Sequence, residues 1–198
     1  IKEQLKLLVE DYRDTFNTKQ DGLEEGIDNL ENMANKWRII IYEGKAIGFW
    51  LLYDMDEDTY EKMKKTSFTA NPDHYPCEDD KRSHRHGYLW MIGIVPEHMT
   101  YYGMKAICKG FLNFLFELAC QGVYYDELFA NPESSVGRVL VEEVGFKRSQ
   151  EDKGEKPLYY HVKLSDIDNE RSPMNLGCHW EKYKIKKKYA KYFEGKTT

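Results

Sequence analysis

The sequence has no run approaching ~18 consecutive apolar residues, the length a membrane-spanning helix needs. Its first residues, Ile1-Lys2-Glu3-Gln4, hold no apolar signal region. Neither an integral membrane protein nor a secreted precursor is expected. Cysteine is sparse and scattered: Cys77, Cys108, Cys120 and Cys178 form no C-x-x-C pair. They make no disulfide framework, so a reducing cytoplasm is the expected setting. Cys108 and Cys120 fall in an apolar helical pattern and read as small core residues. Cationic excess is also missing, since 34 Asp+Glu outnumber 29 Lys+Arg for a net charge of −5. An acidic body disfavours broad phosphate-backbone contact and suits a cationic substrate such as an amine. Solubility alone would explain the charge equally well. With 41% hydrophobic residues the composition is that of a globular chain, which excludes disorder throughout. The length suits one domain with a real core, and there is no internal repeat.

What is present reads in order. Leu5, Leu8, Val9, Tyr12 and Phe16 predict an amphipathic helix over 2–16, and Leu23, Ile27, Leu30 and Ala34 a second. Trp37–Tyr42 and Ala46–Tyr53 flank Glu43-Gly44-Lys45 as a hairpin. Residues 54–86 alternate in charge and contain Pro72 and Pro76, so they read as an inserted loop with a helical turn near 58–65. Tyr88–Val95 is nearly all apolar and predicts a central strand buried on both faces, ended by Pro96. Met104, Ile107, Cys108, Phe111, Leu115, Leu118 and Ala119 mark a strongly apolar helix, with Gly122 at its C-terminal cap. A strand over Glu127–Ala130 follows, then a helix over Pro132–Val144 with Pro132 near its first position. Val136, Val139, Leu140 and Val144 would be its buried side. A strand pair through 146–149 and Leu158–Leu164 closes the domain. The fold class expected is α/β (α+β), with a mixed, mostly antiparallel central sheet and helices on both faces. Residues 1–165 would form the domain and 166–198 a C-terminal extension with a basic helix.

That order resembles the GNAT superfamily of acyl-CoA-dependent N-acyltransferases, over roughly residues 5–165. Tyr42-Glu43-Gly44-Lys45-Ala46-Ile47-Gly48-Phe49 is similar to the hairpin of the family's second and third strands. Ile94-Val95-Pro96 is similar to the V-x-P ending its fourth strand. Leu128-Phe129-Ala130-Asn131 looks like its fifth strand, and Glu142-Glu143-Val144-Gly145-Phe146 like the close of its next helix. The resemblance implies acetyl-CoA as co-substrate, with its pyrophosphate cradled by backbone N–H groups at a helix N-terminus, where unpaired amides favour an anion. The residues it assigns to that role are Thr100, Tyr101, Tyr102, Gly103, Met104 and Lys105, with Asn131 and Ser134 beside them. A backbone N–H near Ile94 or Val95 would stabilise the oxyanion. Against the usual R/Q-x-x-G-x-G/A, Thr100 replaces Arg or Gln and Lys105 the second small residue. Lys105 could supply charge to a phosphate or block its approach. Asn131 lies one helical turn further from Gly145-Phe146 than is usual.

The family's acid, a Tyr four residues before Gly-Phe, falls on Val141, leaving Tyr101, Tyr102, Tyr124 and Tyr125 as substitutes. The family's Glu base falls on Trp90. The polar neighbours are Tyr88, His86 and Glu97, and these are the catalytic candidates, since an imidazole or a raised carboxylate can take a proton from an ammonium. Taken alone, Glu97 also reads as a solvated loop acid and His86 as a surface residue.

Two further constellations stand out in the sequence. His74, Cys77, His84 and His86 supply zinc-type donors, but the spacing fits no strong motif, and no metal is expected. The tail from Lys182 to Phe193 is basic, with Ile185, Tyr189, Tyr192 and Phe193 on one helical face, which more often packs on its own domain or on a partner chain than on nucleic acid or a membrane. The expected function is acetyl transfer from acetyl-CoA to a primary amine of a small molecule or protein. No nucleic acid or membrane partner is expected, and an apolar sheet edge could pair two subunits as a homodimer. The alternative is a catalytically degenerate protein of the same fold that binds a ligand or partner. A third is a metal-dependent regulator built on residues 74–86.

Overall fold

A computed structural model describes residues 37–65, 85–132, 134–149, 159–168 and 172–194. The two helices expected before residue 36, most of the insert, and the turn near 150–158 lie outside the described residues. The elements are β1 (Trp37–Tyr42), β2 (Lys45–Met55), α1 (Glu57–Lys65), β3 (Arg85–Ile94), α2 (Tyr101–Cys120), β4 (Tyr125–Ala130), α3 (Ser135–Glu143), β5 (Lys147–Arg148), β6 (Tyr160–Lys163) and α4 (His179–Glu194). The six strands form one sheet in the order β1-β2-β3-β4-β6-β5. Only β3 and β4 run parallel; the other neighbours are antiparallel. The fold class is the mixed α/β one that the sequence predicts.

Local chemistry sets most boundaries. The β1–β2 turn places Glu43 at φ +48° and Gly44 at φ +75°, the left-handed pair a two-residue hairpin needs. Helix α2 ends with Gly122 at φ +87°, while the Gly122 N–H bonds Ala119 O and the Val123 N–H bonds Leu118 O. These two bonds satisfy carbonyls that the last turn would otherwise leave bare. Gly145 closes α3 in the same way, through Glu142 O and Val141 O.

Some boundaries differ from the sequence reading. Helix α3 starts at Ser135, because the Ser134 hydroxyl accepts the Gly137 N–H at 2.9 Å; Pro132 precedes the cap rather than the first turn. Val136 and Val139 are only partly buried there, whereas Leu140, Val141 and Val144 are core. Residues 57–65 form a full helix where a single turn is expected, capped by Asp56, whose carboxylate accepts the Thr59 N–H at 2.7 Å. Asp54, Met55, Arg85 and His86, read as insert, are strand residues. Cys108 is core as expected, but Cys120 sits off the buried face at the end of α2 and is exposed.

Both faces of the sheet are covered. Trp50, Leu52, Leu89, Ile92 and Ile94 point to the face where α2, α3 and α4 pack. On the other face Met63 of α1 packs on Met55, Tyr88 and Phe129. The tail belongs to the first of these layers: Ile185 and Tyr189 of α4 are fully buried, and the Tyr189 hydroxyl accepts the Tyr125 N–H at 2.9 Å. Burial of one such side chain contributes about 2 kcal/mol. The aromatic face of the basic helix therefore lies against its own domain.

Candidate functional site

Strands β3 and β4 are paired only from Arg85↔Tyr125 to Tyr88↔Phe129. Beyond that rung β3 continues to Ile94 with no partner on the β4 side among the described residues. Just past the rung, Trp90 is an extra residue against β2: Leu51 pairs with Met91 and Leu52 with Leu89. Such a bulge bends the strand and strengthens its twist. In open sheets, ligands bind outside the carboxyl ends of parallel strands, where neighbouring connections diverge. The gap after Tyr88–Phe129 is the one such place in the described sheet.

Backbone direction along β3 decides which amides face the gap. The Val95 N–H donates to Ile47 O at 2.9 Å, so it is spent on β2. In an antiparallel ladder the neighbouring residue points its N–H the opposite way. Ile94, opposite Gly48, and Ile92, opposite Trp50, therefore direct their N–H groups toward the β4 side. Of the two oxyanion candidates, only Ile94 is aimed into the opening.

Two helices begin at this end. Thr100 caps α2, its hydroxyl accepting the Gly103 N–H at 3.2 Å, and the Met104 N–H bonds Thr100 O at 2.9 Å. The Tyr101 and Tyr102 amides, in the first turn, have no carbonyl within the helix to bond. Their side chains are exposed. Gly103 serves packing: a Cβ there would stand 2.0 Å from the His98 carbonyl oxygen and 2.9 Å from Ile94 Cδ1. Met104 is a core side chain. The Lys105 ammonium lies 5.5 Å from the centre of the Tyr101 ring and close to Gly177, turned toward residues 172–178. Asn131 follows β4 directly, and Ser134 caps α3.

Residues 172–178, which the sequence reading left without a role, strap this end of α2. The Tyr101 hydroxyl donates to Asn175 O at 3.2 Å. The buried Glu143 carboxylate, at the end of α3, accepts the Ser172 hydroxyl at 2.7 Å, the Met174 N–H, and the Leu176 N–H at 3.3 Å. Burial lowers the pKa of nearby Lys182, with Cys178, Glu143 and Asp168 opposing that shift.

The three catalytic candidates do not come together. Tyr88 is packed with Met55, Met63 and Phe129. His86 lies on the same face, stacked on Tyr60 at 3.5 Å between ring centres, with Nε2 4.0 Å from Glu57. Burial lowers its pKa, although Glu57, Asp126 and Glu127 pull the other way. Glu97 is exposed in the short turn Pro96–His98, beyond the far end of β3. At ~3.3 Å per residue, the strand from His86 to Ile94 alone separates them by roughly 26 Å. Val141, where the family's acid would stand, is buried in the core.

A different pair is assembled instead. His161 Nδ1 lies 2.6 Å from Glu127 Oε1, and the Tyr60 hydroxyl donates to Glu127 Oε2 at 3.3 Å. Burial works against the charge on Glu127, but the His161 hydrogen bond and charge, with Lys163 and Tyr60, hold its carboxyl below the ordinary value. A carboxylate can only accept, so Nδ1 carries the hydrogen of this bond, and in the neutral imidazole the lone pair is then on Nε2. The His161 side chain keeps 33% of its exposure, against 8% for Glu127. The sequence offered one signal: β4 carries two acids, Asp126 and Glu127, beside Leu128-Phe129-Ala130, and an acid buried in a strand demands a partner. The partner of Glu127 on β6 is fixed only by strand register.

No protein-family model matches the chain, and no curated protein matches it. Among the described residues no helix is long and apolar enough to cross a membrane, and no three His, Cys, Asp or Glu side chains are grouped to hold a metal ion. His74, Cys77 and His84 lie outside the described residues.

Proposed function

We propose that the chain is an N-acyltransferase of the GNAT type that moves an acetyl group from acetyl-CoA to a primary amine, on a small molecule or a protein. The observation that carries the reading is the parting of β3 from β4 after Tyr88–Phe129, with the Ile92 and Ile94 amides aimed into the gap. The first-turn amides of α2 at the same end suit an anion such as a pyrophosphate. Acetyl-CoA would supply the activated acyl group. The Ile94 N–H would donate to the carbonyl oxygen as negative charge develops on it. The Tyr101 and Tyr102 amides would hold the pyrophosphate, and the walls of the gap would orient the acyl group for direct attack by the amine. The free thiols Cys108, Cys120 and Cys178 fit a cytoplasmic setting.

A second reading, binding without catalysis, is favoured by Val141, whose buried aliphatic side chain offers no acid. Hydrogen exchange with and without acetyl-CoA tests the binding step that both readings share. The account expects slowed exchange at Ile92, Ile94, Tyr101 and Tyr102, with little change in β1. Protection absent from these amides at saturating acetyl-CoA rejects the site. Release of free thiol on adding amines separates the two readings.

A further inference from the structure

We infer that the Glu127–His161 pair is the proton acceptor of the reaction, with His161 Nε2 taking the proton from the incoming ammonium. The inference rests on the acyltransferase reading above and assigns a base that the sequence does not reveal.

Three observations place the pair at the right spot. First, His161 is level with the mouth of the gap. Phe129 pairs with Tyr88 on one side and with His161 on the other, so the three form one row across the sheet at the last rung before β3 and β4 part. At ~4.8 Å per strand, the His161 backbone is roughly 10 Å from that of Tyr88, within reach of a side chain and one bridging water. Second, the imidazole is oriented. The 2.6 Å bond from Nδ1 to Glu127 fixes the tautomer and leaves Nε2 as the basic atom, while the buried carboxylate stabilises the imidazolium once it forms. The Tyr60 hydroxyl occupies the second carboxylate oxygen and holds Glu127 from the α1 side. Third, aromatic rings flank the imidazole. The rings of Tyr159 and Phe129 lie 5.6 and 6.3 Å from the imidazole, and aromatic faces attract an ammonium. The charged groups around the pair are Lys163 on its own strand, Lys147 opposite it on β5, Lys64 and Glu57 on α1, and titratable His86 on β3. None of these is hydrogen-bonded to His161, so Glu127 sets its orientation.

The proton balance is simple. An ammonium R–NH3+ gives one proton to Nε2, which later passes it to water. The freed nitrogen lone pair forms the C–N bond, and the carbonyl π pair moves to oxygen. Collapse breaks the C–S bond, and the thiolate takes the second nitrogen proton. The products are the amide and free thiol, with no oxidant or further reactant needed.

Two measurements test the assignment. Ring-nitrogen NMR of the protein alone should show His161 in the Nδ1–H tautomer, mixed in Glu127→Gln. Thiol release from acetyl-CoA should then be followed against pH with propylamine, 2-phenylethylamine and a lysine peptide as probes. His161→Gln should bind acetyl-CoA as the wild type does, release thiol about 100-fold more slowly, and lose the low-pH inflection. Glu127→Gln should keep the inflection but move it. An Nε2–H tautomer, or an unchanged rate and inflection in His161→Gln, overturns the assignment and leaves the acyltransferase reading standing. A wild type that binds acetyl-CoA but releases no thiol with any probe also overturns it. A wild type that does not bind acetyl-CoA overturns the acyltransferase reading, and the assignment with it.

Discussion

His161 on β6 and Glu127 on β4 share a 2.6 Å hydrogen bond on the face of the sheet that α1 covers, in the strands beside the opening of β3 from β4. The bond ties stability to pH as well as orienting the imidazole. Glu127 has its pKa lowered in the folded chain, because the His161 bond and charge prevail over burial. A lowered carboxyl contributes stability above its unfolded value of about 4.5, and that contribution is lost as pH falls through the folded value. Urea unfolding from neutral pH down to about pH 3 should therefore show a steeper acid loss in the wild type than in Glu127→Gln. Equal slopes would mean the pair is not formed in solution.

His86 is shifted too, with a consequence of the same sign in a higher pH range. Burial lowers its pKa below the ordinary 6.5, so the unfolded chain binds the proton more readily. Folding is thus penalised as pH falls below about 6.5. His86→Phe, which can keep the stack on Tyr60, should flatten the stability loss between neutral pH and about pH 5. A variant with the wild-type slope there would contradict the buried placement.

Glu143 gathers the strap over residues 172–176 through Ser172, Met174 and Leu176. Glu143→Ala leaves the buried Leu176 N–H and the less buried Ser172 and Met174 donors without this acceptor, at a cost of about 3 kcal/mol. Amide exchange at Met174 and Leu176 should accelerate in this variant, and the unfolding midpoint should drop. Unchanged exchange at both amides would show that the carboxylate does not hold the strap.

Gly103 tests packing apart from binding. Its missing side chain makes room for the His98 carbonyl, which a Cβ would approach to 2.0 Å. Gly103→Ala should destabilise by about 2 kcal/mol, since backbone has to shift. A stable Gly103→Ala protein would mean that the turn over 96–98 sits further from α2.

The legible parts of this chain are those where neighbours in sequence decide the outcome. Glu43-Gly44 supplies its own left-handed turn, Pro96 ends β3, and Gly145-Phe146 ends α3 through bonds to the turn just before it. The apolar period of α2 gives its buried face directly, and Ile185 and Tyr189 give that of α4. The errors arise where a competing local signal prevails. Ser134 outbids Pro132 as the start of α3, and the charges over 57–65 disguise a helix whose apolar contact is Met63. The Glu127–His161 pair is hidden from the sequence for a different reason. Glu127 and His161 stand 34 residues apart, and only the β4–β6 register makes them neighbours. The same holds for Glu143 and the strap, 29 to 33 residues away. Choosing Ile94 over Val95 also required the ladder, because the residue type says nothing about which way an amide points.

The most direct test of the account is a calorimetric titration with acetyl-CoA of the wild type and of Tyr102→Asp. Tyr102 is 75% exposed in the first turn of α2, so the change removes no core contact. An acid at that position favours the helix, because it faces the positive end of the dipole, while repelling a phosphate seated there. The account predicts micromolar binding by the wild type and at least a tenfold loss in Tyr102→Asp, with a melting temperature that is unchanged or raised. No binding by the wild type, or equal affinity in the two proteins, would contradict it.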